Sequence, residues 1–360
     1  MKKLLSVLLG LALVVGMTGC GSSQKSDFDP IAEFGSDTLN VYNWGEYIGT
    51  DVIKNFEKEY NVKVNYSLFS SNEEMYTKLM SGSSYDILVP SDYMIERLIS
   101  ENMLQKLDKS VLTNLGNLAD GVKNLDWDPN NDYAVPYFWG TVGIVYDSTN
   151  VSEADIKKEQ FAIFKDTKYK GHIDMYDSER DAFMIALKDL GYSMNTSNEA
   201  EIQAAFEWLK DMNAKVNPSY VTDEAIDEMA NGEKWLALMY SGDAAYILSQ
   251  NEDMKYYVPD YGTNRWVDGM VIPANAQNPK LANVFINYIL TYEASLDNSE
   301  TVGYASSNQQ VLDELTAKGG AYYGNDAYLP RTDNAKDETF HNNDVLRKEL
   351  SDLWVKVKLS

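Results

Sequence analysis

The chain is poor in the side chains that most often do chemistry. Cysteine occurs once in 360 residues, at Cys20, and histidine twice, at His172 and His341. One thiol cannot form an internal disulfide, so the fold must be held by its own packed core. Neither histidine lies in an HExxH pattern or near a second ligand type at metal spacing, and no metal or cofactor is expected. No GxSxG elbow, GxxxxGK[ST] loop or GxGxxG turn is present, which removes the common signatures of acyl transfer, nucleotide hydrolysis and dinucleotide binding. Positive charge is also scarce: 31 Lys and Arg stand against 55 Asp and Glu, a net charge of −24. A nucleic-acid binder needs a basic face, and none is visible. Outside the first residues no apolar run approaches the ~20 residues that a membrane helix needs.

The exception at the start has its own pattern. Lys2 and Lys3 precede an almost wholly apolar stretch, Leu4 to Val15, followed by Met17-Thr18-Gly19-Cys20. This is the charged, apolar and small-residue plan of a secretory signal. Its end resembles a bacterial lipobox, with Met17 where Leu is usual. Residues 1–20 are therefore expected to be a lipoprotein signal and Cys20 the lipidation site, which would anchor the protein on the outer face of the cytoplasmic membrane, its only membrane contact. Loss of residues 1–20 takes the net charge to −26, a sign that favours cationic ligands. Residues 21–37 are small, polar and aperiodic, and are expected to be a flexible tether.

From Leu39 the pattern becomes regular. LNVYNW alternates as a strand, and Val52, Ile53, Phe56 and Tyr60 recur at helical spacing behind Thr50, a candidate cap. Val62, Val64, Tyr66 and Leu68 give a second strand, Asn72 a second helix cap, and YDILVP a third strand. Strand, helix, strand, helix, strand implies a parallel sheet with right-handed crossovers. A similar series follows: VGIVYD, GHIDMYD, a helix carrying Ile202, Phe206, Leu209 and Met212 behind a Thr196/Glu199 capping box, WLALMYSG, GMVIP and a helix over 280–295. About 340 residues after the signal exceed a single core, so two α/β domains are expected.

Ligands of such sheets bind beyond the C-terminal ends of the strands. Four segments there combine aromatics with carboxylates or hydroxyls: Asn43-Trp44-Gly45-Glu46-Tyr47, Pro90-Ser91-Asp92-Tyr93, Tyr240-Ser241-Gly242-Asp243 and Trp266-Val267-Asp268-Gly269. A carboxylate is the strongest replacement for the water around an ammonium, and aromatic rings cover methylenes while their faces attract cations. The set suits a small organic polycation. An amino-acid site would need an Arg for the carboxylate, and these segments offer only Arg265. Residues Asp126, Asp128, Asn130 and Asp132 imitate a calcium loop, but Asn131 and Tyr137 stand where Gly and Glu are required, so an Asx-rich turn is expected. A carboxylate pair could serve a glycosidase, and spacing in sequence leaves that alternative open.

With these residues in view, the chain resembles the periplasmic spermidine/putrescine-binding proteins of polyamine ABC importers. The similarity runs from about Leu39 to the end through VYNWGEYI, SSNEEMYTKL, YDILVPSDY, LQKLDKSVLTNLGNL, DPNNDYAVPYFWGT, RWVDGMVIPANAQN and ETVGYASSN. The resemblance implies a type II periplasmic-binding-protein fold of two lobes, each a mostly parallel sheet flanked by helices, with ligand in the cleft between them. The lobes are expected at 38–142 plus 269–312 and at 143–268 plus 313–360. It implies a receptor, not an enzyme, that passes its ligand to a permease and its ATPase; a monomer is expected. By the same resemblance Trp44, Glu46, Tyr47, Ser91, Tyr93, Asp181, Tyr240, Asp243, Trp266, Asp268 and Tyr304 are the ligand-binding candidates. Ser178, Tyr240 and Asp243 depart from the spermidine pattern, and Asp243 is similar to the putrescine-binding branch. Spermidine and putrescine both stay open, as does another small cationic or polar solute.

Overall fold

The computed structural model describes residues 28–360, so the expected signal and lipidation site at Cys20 lie outside the described residues. Order begins earlier than the sequence suggests. Residues Pro30–Phe34 form a short helix whose N-cap, Asp29, accepts from the backbone N–H groups of Ile31 and Ala32. Phe28 and Phe34 pack on each other and against Tyr60, with ring centroids 5.4, 6.2 and 6.3 Å apart. The expectation of a flexible tether over 21–37 therefore fails for its described part, because two aromatics in an otherwise polar stretch find an apolar seat.

Ten strands form the sheet: β1 (Thr38–Trp44), β2 (Lys63–Phe69), β3 (Ile87–Leu88), β4 (Ala134–Asp147), β5 (Ile173–Tyr176), β6 (Ser219–Val221), β7 (Leu236–Tyr240), β8 (Met254–Tyr257), β9 (Arg265–Val271) and β10 (Ala305–Ser306). The order is β2-β1-β3-β9-β4-β7-β5-β6, with β8 and β10 also paired to β4. β1 lies parallel to β2 and β3, and β5 lies parallel to β6 and β7. Helices Val52–Tyr60 and Asn72–Met80 make the first crossovers. The former buries Val52 and Phe56, and the latter is capped by Ser71, whose hydroxyl accepts from the Glu74 N–H. The expected caps Thr50 and Asn72 each lie one residue off the true N-cap, since Asp51 and Ser71 occupy those places.

Two antiparallel strands join the parallel sets. β4 is buried along all 14 residues; it pairs with β9 over Ala134–Thr141 and with β7 and β8 from Val142 onward. Full burial explains why this stretch shows no alternation and why the strand expected at VGIVYD covers only its second half. The helix expected over 280–295 is two helices, Pro279–Ile289 and Tyr292–Val302, because Thr291 caps a new start by accepting from the Ala294 N–H. Asn198, rather than Thr196, caps helix Glu199–Val216. Asp128 is buried and accepts the backbone N–H groups of Asp132, Tyr133 and Ala134, so the acidic stretch before β4 is a braced turn. No described helix is long and apolar enough to cross a membrane.

Candidate functional site

Three carboxylates stand in the crossing strand β9 and in the helices that follow β5 and β7. Asp268 sits in β9, bridged by backbone to Ser91 just after β3. Its Oδ2 accepts a 2.8 Å hydrogen bond from the Tyr47 hydroxyl. Asp243 lies in the first turn of helix Ser241–Gln250, directly after β7, and is held from both sides. Tyr176 donates to its Oδ2 at 2.6 Å and Tyr304 to its Oδ1 at 3.1 Å. Asp181 lies in the first turn of helix Glu179–Asp189, after β5. Its Oδ2 accepts from Tyr240 and from Ser178, both at 2.7 Å, while its buried Oδ1 has no partner.

Burial disfavours the charged form of all three acids. It pushes Asp268 and Asp243 up to about 6, against the opposing pull of the phenol and serine hydroxyls, and raises Asp181 as well. A buried carboxylate is normally paired with a cation. The ion pairs of the neighbourhood go elsewhere: Arg180 to Glu73, Lys358 to Asp177 and Lys234 to Asp174. Among the described residues none reaches Asp181, Asp243 or Asp268.

Aromatic rings connect the three acids. Tyr176 stacks on Tyr240 at 4.8 Å; Tyr240 meets Trp266 edge-on at 6.2 Å, Trp266 meets Tyr304 at 5.1 Å, and Tyr304 meets Tyr47 at 5.8 Å. The Trp266 Nε1–H is buried without a partner. Close packing fixes this wall. A Cβ on Gly242 would lie 2.2 Å from the Tyr304 ring, and one on Gly140 would lie 2.4 Å from the Trp266 ring.

Tyr47, Asp181, Tyr240, Asp243, Trp266, Asp268 and Tyr304 thus form one cluster, with Ser91 at its edge, positioned by two hydrogen bonds with Asn72. The other three candidates lie outside this network of hydrogen bonds and ring contacts. Trp44 donates its indole N–H to the Val89 carbonyl at 2.8 Å and packs on Phe69. Glu46 is exposed on a left-handed backbone, φ 50°. Tyr93 donates to Glu73, and its ring is covered by the Arg180 guanidinium, 3.3 Å from the centroid. Tyr176 was not among the candidates, although it ends β5 as Tyr240 ends β7, and that shared position was the available signal.

Residues 51–323 match the family described as bacterial extracellular solute-binding protein. The spermidine/putrescine-binding periplasmic protein of Salmonella typhimurium is 36% identical over 299 residues, covering 82% of each chain. The putrescine-binding periplasmic protein SpuD of Pseudomonas aeruginosa is 34% identical over 321 residues, covering 83% of each. The crystal structure of the spermidine/putrescine ABC transporter substrate-binding protein PotD from Streptococcus pneumoniae superposes with a TM-score of 0.78 at 34% identity, over 90% of this chain and 99% of that one. The fold is that of the type II periplasmic binding proteins. The chain belongs to the bacterial extracellular solute-binding protein family.

Proposed function

We propose that the protein captures a polyamine outside the cytoplasm and delivers it to the permease and ATPase of an ABC importer. One observation carries this: two buried carboxylates, Asp181 and Asp268, and the half-buried Asp243, linked by aromatic rings, form no ion pair with a cationic side chain among the described residues. A ligand with spaced ammonium groups would supply the missing charges, and its methylenes would lie along the Tyr and Trp walls. The names of the relatives point the same way, since they combine spermidine or putrescine with periplasmic or ABC transporter.

Binding in this scheme needs no chemistry from the receptor, which acts as a monomer. The two lobes would be 38–142 plus 269–312 and 143–268 plus 313–360. The change of partners along β4 at Thr141 and Val142 supports a boundary there, and closure about such crossing strands would bury the ligand. Cys20 would carry the lipid. Trp44, Glu46 and Tyr93, which stand off the cluster, would contribute at its rim. The test is a thermal-melting panel: putrescine and spermidine should raise Tm at micromolar concentration while amino acids and sugars do not. A panel in which sugars or amino acids stabilise and polyamines do not sinks the assignment.

A further inference from the structure

Arg180 is a cation at the border of a site built for cations. It precedes Asp181 on the same helix, yet its guanidinium turns away from that carboxylate. It lies flat on the Tyr93 ring at 3.3 Å, and its Nη2 donates to Glu73 Oε1 at 3.4 Å. Its side chain is 17% exposed, and its Nη1 is buried without a partner. Tyr93 and Glu73 belong to helices that follow β3 and β2, whereas Arg180 belongs to the helix after β5, so the contact spans the two parallel sets of strands.

We infer that Arg180 sets the charge preference of the ligand site: it is a tethered cation beside the Asp181 end of the cluster, and it favours dications over longer polycations. The assignment rests on the polyamine reading above and sharpens it. The three carboxylates are not equivalent. Asp243 and Asp268 have hydroxyl partners and no cationic neighbour acting on them. Asp181 is the one acid of the three with a cation beside it, although Arg180 forms its ion pair with Glu73. None of the three is ion-paired, but only Asp243 and Asp268 have no cation nearby, which matches two ammonium groups. A longer polyamine extending past Asp181 would bring its third ammonium to a guanidinium that already holds the aromatic face and the carboxylate there. Like charges so placed in a partly buried site repel strongly.

The test is calorimetry with putrescine and spermidine on the natural protein, Arg180→Gln and Arg180→Lys, with thermal melting to establish that each variant folds. The natural protein should bind the diamine at least tenfold tighter than the triamine. Arg180→Gln should shift the ratio of the two affinities at least tenfold toward spermidine, and Arg180→Lys, which keeps the charge, should leave it within about threefold. Arg180→Met, which keeps the aliphatic packing on Tyr93, serves should Arg180→Gln fold poorly. Equal weakening of both ligands, or an unchanged ratio, would reduce Arg180 to a strut between helices and overturn the inference alone. If no polyamine binds the natural protein, the inference falls together with the reading beneath it.

Discussion

The Tyr47 hydroxyl lies 2.8 Å from Asp268 Oδ2, joining the loop after β1 to the crossing strand β9. The bond fixes the carboxylate that a ligand ammonium would meet and gives it a neutral donor. The same arrangement recurs at Tyr240 with Asp181, and at Tyr176 and Tyr304 with Asp243.

Asp268→Asn should weaken polyamine binding at least tenfold, because a buried ammonium then lacks its counter-ion. The ligand-free protein should melt no lower, since a buried carboxylate without a cation has been removed. Calorimetry and melting on the same variant check both halves. An unchanged Kd would take Asp268 out of the site.

Tyr47→Phe removes the hydroxyl and keeps the ring. Asp268 would then be charged at greater cost, with an expected loss on the order of 1 kcal/mol in binding at pH 7. Affinity measured by calorimetry should fall about fivefold; a gain would show that the phenol competes with the ligand.

Stability and affinity should depend on pH in opposite senses. Burial raises Asp243 and Asp268 from 3.8 to about 6, so the folded protein holds these protons more tightly than the unfolded chain. Their contribution to stability is full below pH about 4 and is lost as pH rises through about 6, at a cost on the order of a few kcal/mol. The ligand-free Tm should carry this downward component from both groups, and Asp268→Asn should reduce it. A cationic ligand requires the charged carboxylates, so affinity should rise over the same window and binding at pH 6 should release protons. Calorimetry in buffers of different ionisation enthalpy measures that release; proton uptake would contradict the assignment.

Gly242→Ala tests the wall. The new Cβ would need the space of the Tyr304 ring, so Tyr304 must leave Asp243 or the helix must shift. The expected outcome is a stability loss of about 1–3 kcal/mol, as for overpacked cores, with ligand affinity at least tenfold weaker. Denaturant unfolding and calorimetry read the two effects separately.

Much of this site was legible because each strand end announces itself: an apolar run stops and an aromatic with an acid or hydroxyl follows, as in LALMYSGDA and ILVPSDY. Such a pattern places a residue at the right end of the sheet without giving the direction of its side chain. Glu46 and Tyr47 are neighbours, yet only Tyr47 turns inward, because Glu46 occupies a left-handed turn. Tyr176 ends the expected strand GHIDMYD, but its partner Asp243 is 67 residues away and no sequence pattern pairs the two. The packing of Phe28 and Phe34 on Tyr60 was hidden by the polar residues between them. The break at Thr291 was hidden by continuous helical spacing, which a cap interrupts without a Pro or Gly.

Direct titration of the chain lacking residues 1–20 with putrescine and with spermidine tests the central claim, that the three carboxylates await an organic polycation. Saturable one-to-one binding, lost in the Asp243→Asn, Asp268→Asn double variant that still melts cooperatively, is the expected result. Absence of binding by either polyamine, or full binding by the double variant, would contradict it.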